Sequence, residues 1–237
     1  MRAAVYCATR NLYPDILPAM KSLMAHSNVE KIYLLIEDDE FPFWLPEICE
    51  TRNVSGQKYF SPGSPNYHQK WSYMVLLRAA LWDIFPDLDR IFSLDVDTFC
   101  MKDVSDLWDL DMEHKCLAGS EETVWRAKNP VEHYINAGVL MMNLELLRSS
   151  GCGEQVVQTL NKRRWIWPEQ DAFNVICEGS ILFLPREYCA GKGTEPYGAP
   201  YIRHFMGEGA TYRNSEIYKY WDSMTWEAVL KKWRSKF

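Results

Sequence analysis

Two short apolar runs near the start of the chain constrain its fold more than any other feature. Residues 3–8 and 31–36 (Lys-Ile-Tyr-Leu-Leu-Ile) read as buried strands, and between them Ile16, Leu17, Met20, Leu23 and Met24 recur at the spacing of one helix face. A strand, a crossover helix and a second strand in so short a stretch point to a parallel sheet, because parallel neighbours cannot be joined by a tight turn. The alternation continues. A helix is predicted over 69–84, with Tyr73, Met74, Leu77, Leu81 and Ile84 on its apolar face and Pro86 and Asp87 stopping it. Residues 90–98 read as a strand running into two carboxylates, 115–118 and 137–143 as central strands, 154–163 and 169–178 as helices, and 181–184 as a short strand. The tail, 215–234, reads as one helix carrying Trp221, Trp226, Leu230 and Trp233. No repeat, low-complexity tract or linker interrupts the series. The expectation is one α/β domain over 1–214, with a basic and aromatic helix, 215–237, appended.

The chemistry starts at Asp95-Val96-Asp97, which follows the apolar Ile91-Phe92-Ser93-Leu94. Carboxylates at the C-terminal end of a parallel-sheet strand lie where α/β folds bind ligands. Two of them one residue apart repel each other unless a hard cation sits between them. Loop or helix-capping aspartates give the same triplet, so it is degenerate alone. Three later segments add to it. Tyr134-Ile135-Asn136-Ala137-Gly138-Val139 pairs a donor–acceptor side chain, Asn136, with two small residues that allow close approach to backbone. Pro168-Glu169-Gln170-Asp171-Ala172-Phe173-Asn174 opens a helix with polar groups, although carboxylates there also suit the helix dipole. Arg203-His204-Phe205-Met206-Gly207 sets a His beside a Gly, where it could complete a metal shell.

Composition removes several classes of function. The net charge of -6 and pI near 5.5 argue against a general nucleic-acid footprint, so a phosphorylated ligand needs local positive charge from a metal or a few placed Arg and Lys. Seven cysteines, an odd number without a C-x-x-C pair, read as reduced thiols. No apolar run reaches the ~18 residues of a membrane span, and no signal-like apolar region precedes the first strand. The expectation is a cytoplasmic protein. Its tail either docks by its Trp face or rests as an amphipathic basic helix on the inner, anionic face of a membrane.

Leu94-Asp95-Val96-Asp97, Asn136-Ala137-Gly138-Val139, Glu169-Gln170-Asp171-x-x-Asn174 and His204-Phe205-x-Gly207 occur in the order and approximate spacing of retaining glycosyltransferases of family 8. That group contains bacterial lipopolysaccharide galactosyl- and glucosyltransferases and glycogenin. The resemblance runs from the first strand to about residue 213 and implies a GT-A fold, a Rossmann-like nucleotide-sugar half fused to an acceptor half. It implies Asp95, Asp97 and His204 as ligands of Mn²⁺, with Mg²⁺ the alternative and Asp95 also near the ribose. An imidazole in the set favours Mn²⁺. It places Arg78 toward the donor, Asn136 and Ala137 around the donor sugar, Gln170 near the anomeric carbon, and Ala8, Thr9 and Asn11 at the uridine, with Gly207 in the His-x-x-Gly turn. This chain departs from the family at Thr9 and Arg10, where an acid is usual, and at Glu169, where Asp is common. It also departs after Gly207, where Arg213 is the candidate replacement for a missing diphosphate-gripping Lys.

The implied reaction is retaining transfer of a hexose, glucose or galactose, from a UDP-sugar to an acceptor hydroxyl of a glycan, lipid-linked molecule or protein. Glu169 and Gln170 are the candidates beside the anomeric carbon, and a same-face route that needs no enzyme nucleophile is favoured over double displacement. Two other readings compete: a nucleotide-sugar-binding pseudoenzyme, and a metal-dependent nucleotidyltransferase, which would want a Gly-rich phosphate loop that the first turn lacks. Trp71, Trp125, Trp165, Trp167 and Tyr197 are aromatic candidates for stacking on an acceptor sugar. Trp167 and Tyr197 are preferred because they flank the site in sequence.

Overall fold

The computed structural model describes residues 1–69, 72–122, 131–191 and 198–237. The opening forms as the apolar pattern requires: β1 (Ala3–Cys7), α1 (Tyr13–Ala25) and β2 (Lys31–Ile36), with β1 and β2 parallel and Ala3 opposite Lys31. β3 (Cys49–Asn53) extends this parallel set at one edge. Its Glu50, Thr51 and Arg52 carry no apolar alternation, which is why the sequence hides it. Beyond Ser72, whose side chain accepts from the backbone N–H of Met74 and caps it, the next helical stretch runs as α2 (Tyr73–Leu76), a 3-10 turn (Leu77–Ala80) and α3 (Leu81–Ile84). The predicted helix therefore starts later than residue 69 and is broken near its middle.

β4 (Arg90–Leu94) lies on the other side of β1, again parallel. The strand expected to reach Thr98 stops at Leu94. Asp95, Val96 and Asp97 form a turn, and β5 (Thr98–Cys100) leaves the main sheet to pair with β9 (Ile202–His204) in a small antiparallel sheet. β6 (Leu117–Ser120), β7 (Val139–Asn143) and β8 (Ile181–Leu184) complete the main sheet, whose order is β3-β2-β1-β4-β7-β6-β8. β7 runs antiparallel to both neighbours, so the sheet is mixed rather than wholly parallel.

Alternation along the strands sorts side chains into two cores. Ala4, Tyr6, Ile32, Leu34, Phe92 and Leu94 face α1, whereas Ala3, Val5, Leu35, Ile91, Leu140 and Met142 face the helices on the opposite side. Those helices include α4 (Leu144–Ser149), α5 (Cys152–Lys162) and α6 (Pro168–Ile176). The tail is two helices, α7 (Glu216–Ser223) and α8 (Trp226–Arg234), because Thr225 caps a fresh start by accepting from Ala228 N–H. Trp226, Leu230 and Trp233 pack onto the α1 core, and Trp233 Nε1 donates to Val29 O at 2.7 Å. Among the described residues, no helix is long and apolar enough to cross a membrane.

The topology places the site. β1, β4 and β6 end at one sheet edge, and antiparallel β7 begins there. The chain leaves β1 toward β2 and returns on the opposite flank as β4, so the crevice beyond β1 and β4 is a switch point, the usual ligand position in such sheets.

Candidate active site

A cavity of about 550 Å³ opens at that edge, within the size range of small-ligand sites. Its wall takes Arg78 from the broken helix, Asp95 and Asp97 from the turn after β4, and Glu122 from beyond β6. Asn136, Ala137 and Gly138 enter before β7, Trp167, Glu169 and Gln170 around the start of α6, and His204 from β9.

Strand register accounts for the convergence of the two aspartates with a histidine more than a hundred residues away. β5 pairs with β9 so that Thr98 lies opposite His204, which sets the imidazole over the preceding turn. Nε2 of His204 lies 3.3 Å from Asp97 Oδ1 and 3.6 Å from Asp95 Oδ2. One ligand atom from each of the three residues falls within 4.8 Å of the others, a spacing that could hold a metal ion. Gly138 is required for this packing. A Cβ built there would overlap His204 Cε1 and come within 2.8 Å of Asp95 Oδ2 and of His204 Nδ1. The smallness of Ala137-Gly138 thus admits the imidazole to the backbone, rather than only a ligand as the sequence suggests.

The donor set, two hard carboxylates and one imidazole, fits a divalent cation. Burial alone would lower the His204 pKa. The Asp97 carboxylate, with Cys189 on the other side, more than offsets this and raises it well above the ordinary imidazole value. The pocket formed by Asp95 and Asp97 thus holds positive charge strongly.

Arg78 is buried, with its side chain 4% exposed, and it serves several partners at once. Its guanidinium pairs with Asp95, donates to Glu169 Oε1 at 2.9 Å and donates to Ser93 Oγ at 3.1 Å. One cation shared by two carboxylates cannot satisfy both equally. Burial would raise the Asp95 pKa, but Arg78 and His204 overcome that and hold it below the usual value. Burial lifts Glu169 to about 7, with Arg78 only partly opposing and Asp95 adding to the rise. Burial would likewise lower the Arg78 pKa, but Asp95 and Glu169 raise it above its ordinary range.

The Glu-Gln-Asp-x-x-Asn segment divides its work. Glu169 and Gln170 line the cavity, whereas Asp171 and Asn174 are buried and structural. Asp171 Oδ2 accepts from Ile166 N–H and Trp167 N–H, which ties the segment leading into α6 to the helix, and its Oδ1 accepts from the Tyr134 hydroxyl. Asn174 exchanges two hydrogen bonds with the backbone of Ile135, at 2.7 and 2.9 Å, which locks the Asn-Ala-Gly loop to α6. Gln170 accepts from Ala137 N–H at 2.8 Å and donates to Tyr134 Oη at 3.2 Å, so its amide orientation is set from both ends.

Other expected residues lie elsewhere. Ala8, Thr9 and Asn11 form the turn after β1 at the same edge, where Thr9 Oγ1 donates to Asn11 Oδ1 at 2.7 Å. Beside it, Arg10 pairs with Asp38 from the turn after β2, so an acid reaches this turn from the neighbouring strand. Gly207 lines the cavity. Arg213 is bound to Asp15 on α1, whose side chain is fully buried, and is not part of the cavity wall. Trp167 lines the cavity and Trp165 is buried in the core, whereas Trp71, Trp125 and Tyr197 fall outside the described residues. Glu122 is a wall residue that the sequence reading missed. Its only signal was an acidic pair, Glu121-Glu122, at the end of a strand.

A mixed sheet with an acid, acid and imidazole cluster at its switch point is the arrangement that the resemblance to GT-A glycosyltransferases leads one to expect, and similarity to known proteins supplies the class. The model of Glycosyl transferase family 8 matches residues 5–207, and the chain belongs to that family. It is 30% identical to the lipopolysaccharide 1,2-glucosyltransferase of Escherichia coli K12 over 51% of this chain and 39% of that protein. It is 24% identical to the glycosyltransferase GlyE of Streptococcus pneumoniae over 99% of this chain and 64% of that one. The chain thus spans less than two thirds of the length of these relatives. Among solved structures, GlyE superimposes with a TM-score of 0.75 at 21% identity, covering 99% of this chain and 63% of that chain. The galactosyltransferase LgtC, solved with donor and acceptor sugar analogs, gives 0.70 at 18% identity, covering 99% of this chain and all of LgtC.

Proposed function

We propose that the protein transfers a hexose, glucose or galactose, from a UDP-sugar to an acceptor hydroxyl of a glycan, with retention at the anomeric carbon and dependence on Mn²⁺. The observation that carries this reading is the convergence of Asp95, Asp97 and His204 opposite Glu169 and Gln170 across one cavity, with Arg78 between them. The charge balance of the wall supports the cation. Asp95, Asp97, Glu122 and Glu169 face the cavity, and Arg78 is the single Lys or Arg among its described lining residues. A diphosphate would be repelled from this wall unless a divalent ion bridged it. Bound by Asp95, Asp97 and His204, such an ion supplies Lewis-acid neutralisation of the departing nucleotide.

The chain's own groups do the rest. Arg78, fixed by Ser93 and Glu169, adds positive charge where the leaving group becomes negative. Gln170, held by Ala137 and Tyr134, presents its amide to the sugar. Glu169 is engaged by Arg78, which favours a same-face route in which the leaving phosphate oxygen takes the acceptor's proton. Mass-spectrometric capture of a glycosyl adduct on Glu169 would reverse that preference. Asn136 and Ala137 frame the donor sugar, and Gly207 borders it. Ala8, Thr9 and Asn11 receive the uridine, with Asp38 as the neighbouring acid. Trp167 forms a platform for the acceptor. Arg213 replaces the missing Lys on the condition that it exchanges Asp15 for a phosphate.

Arg213's commitment to Asp15 also favours a second reading, a nucleotide-sugar-binding module with weak turnover. Two assays together separate them. Thermal shift with Mn²⁺ and a panel of UDP- and GDP-sugars reports binding, because a ligand of the native state raises apparent stability. Acceptor-free hydrolysis of the same sugars reports chemistry. Stabilisation by UDP-sugars with turnover supports the enzyme, stabilisation without turnover supports the module, and no stabilisation removes both. For the tail, α8 docks by its Trp face, and Lys231, Lys232 and Arg234 form a basic end suited to anionic lipid, with Lys236 paired to Asp103. Liposome pelleting of the full chain against 1–214 tests that contact.

A further inference from the structure

The imidazole of His204 has two nitrogens, and the neutral ring can offer a cation only the one without a proton. Nε2 faces Asp95 and Asp97, and Nδ1 faces the thiol of Cys189, with the sulfur 3.4 Å away. Both residues are buried, and His204 N–H donates to Ala190 O at 2.9 Å, which holds Cys189 beside the ring through the backbone. Hydrogen-bond directions along this chain of contacts are set by elimination. Gly138 N–H can only donate, so the amide atom of Asn136 that it meets at 2.8 Å is the oxygen, while Asn136 Nδ2 donates to Glu122 Oε2 at 3.0 Å. The same amide oxygen lies 3.6 Å from Cys189 Sγ, and between a thiol and a carbonyl oxygen only the thiol can donate. A thiol has one proton. With that proton directed at Asn136, sulfur turns lone pairs toward His204, an arrangement that matches a hydrogen on Nδ1.

We propose that Cys189 is a positioning residue for the cation site: its thiol, oriented by Asn136, accepts from Nδ1–H of His204 and so leaves Nε2 as the ligand atom. Histidines that bind metals usually find this support in a carboxylate or carbonyl, and losing it typically lowers metal affinity ~10–100-fold. Here a thiol sulfur stands in that place. The inference rests on His204 being a cation ligand, as the proposed function holds. It is separable from mere core filling, because Cys189 also packs in the apolar cluster around α1. A packing role predicts that Ala or Val is tolerated better than Ser. A positioning role predicts the reverse, since a serine hydroxyl keeps one proton and its lone pairs.

The test is Mn²⁺ affinity by titration calorimetry on the full chain and its Cys189→Ala, Cys189→Val and Cys189→Ser variants. Loss of ~10-fold or more in affinity for Ala and Val, with Ser within ~3-fold of the parent, supports the inference. Parent-like affinity in Cys189→Ala, or Ser as weak as Ala, overturns it and leaves the cation site standing. If the parent chain itself takes up no Mn²⁺, the cation reading and this inference fall together. Should the apolar variants not fold, ¹⁵N-histidine NMR of the Zn²⁺-loaded parent and Cys189→Ser decides. With Nε2 metal-bound, an Nδ1–H signal of His204 that shifts in Cys189→Ser supports the proposal, and a signal unmoved by that change, or metal on Nδ1, removes it.

Discussion

The turn after β4 and the turn after β1 lie side by side at one sheet edge, but they are built differently. Asp95 and Asp97 are held through their backbone: Asp95 N–H donates to Gly138 O, Thr98 Oγ1 donates to Asp95 O, and Phe205 N–H donates to Asp97 O. Arg78 and His204 then converge on their side chains from buried positions. In the turn after β1, Thr9 and Asn11 bond each other and Arg10 reaches out to Asp38, all near solvent. Groups that must meet developing charge gain from being fixed in advance, whereas an exposed turn can change its contacts at little cost. Substitutions in the first turn should therefore alter selectivity slightly, and those around the second should remove function.

The largest effect is expected at Asp97. Asp97→Ala should reduce Mn²⁺-dependent UDP-sugar turnover by ~10²–10³-fold or more, while the metal-free protein still folds but at a lower Tm, because the buried His204 loses the carboxylate that sustains its charge. Undiminished turnover would mean that the two turns do not differ as argued. Next is Arg78→Lys, which keeps the charge but cannot reach Ser93, Glu169 and Asp95 together. Losing one charge-assisted hydrogen bond predicts a ~10–100-fold fall in kcat with a smaller change in KM. Equal rates for Arg and Lys would show that the fork geometry is irrelevant.

These contrasts were only partly legible in the sequence. The strands of the β-α-β opening stand close to where apolar runs placed them, because burial on both faces writes a continuous hydrophobic signal, whereas β8 was readable from its four apolar residues although Phe183 is exposed at the sheet edge. The halt of β4 at Leu94 was not readable, since Val96, Thr98 and Phe99 continue a strand-like pattern into a different sheet. Nor was the partition of the α6 segment, in which Asp171 and Asn174 brace the fold and Glu169 and Gln170 face the cavity. Four polar residues within six positions give no hint of which side each faces until the helix is packed. Arg213 was chosen by proximity in sequence, and its partner Asp15, almost two hundred residues earlier, is a pairing that only the fold creates.

A pH experiment sharpens the comparison at Glu169. Its pKa is raised in the folded protein from 4.5 to about 7, chiefly by burial. A carboxyl with a raised folded pKa contributes stability that is complete below the unfolded value and lost as pH climbs through the folded one. The metal-free protein should therefore lose Tm between pH 4.5 and about 7 on account of this group, and Glu169→Gln should flatten that slope. An unchanged slope in the variant would mean that Arg78 fully satisfies Glu169 and that the second carboxylate is as well supported as Asp95.

The smallest effect is expected in the first turn, at Asp38→Asn. The Arg10–Asp38 pair is exposed, and such pairs contribute little to folding, so Tm should stay where it is. If this turn receives the base, replacing the acid that reaches it from β2 should change KM for UDP-sugars by ~2–5-fold and leave kcat alone, because the pair lies outside the cavity wall where the bond breaks. A fall in kcat as large as that of Arg78→Lys would join the two turns into one catalytic unit. An equal change for UDP- and GDP-sugars would place base recognition elsewhere, since a turn that reads uracil has to discriminate between the two.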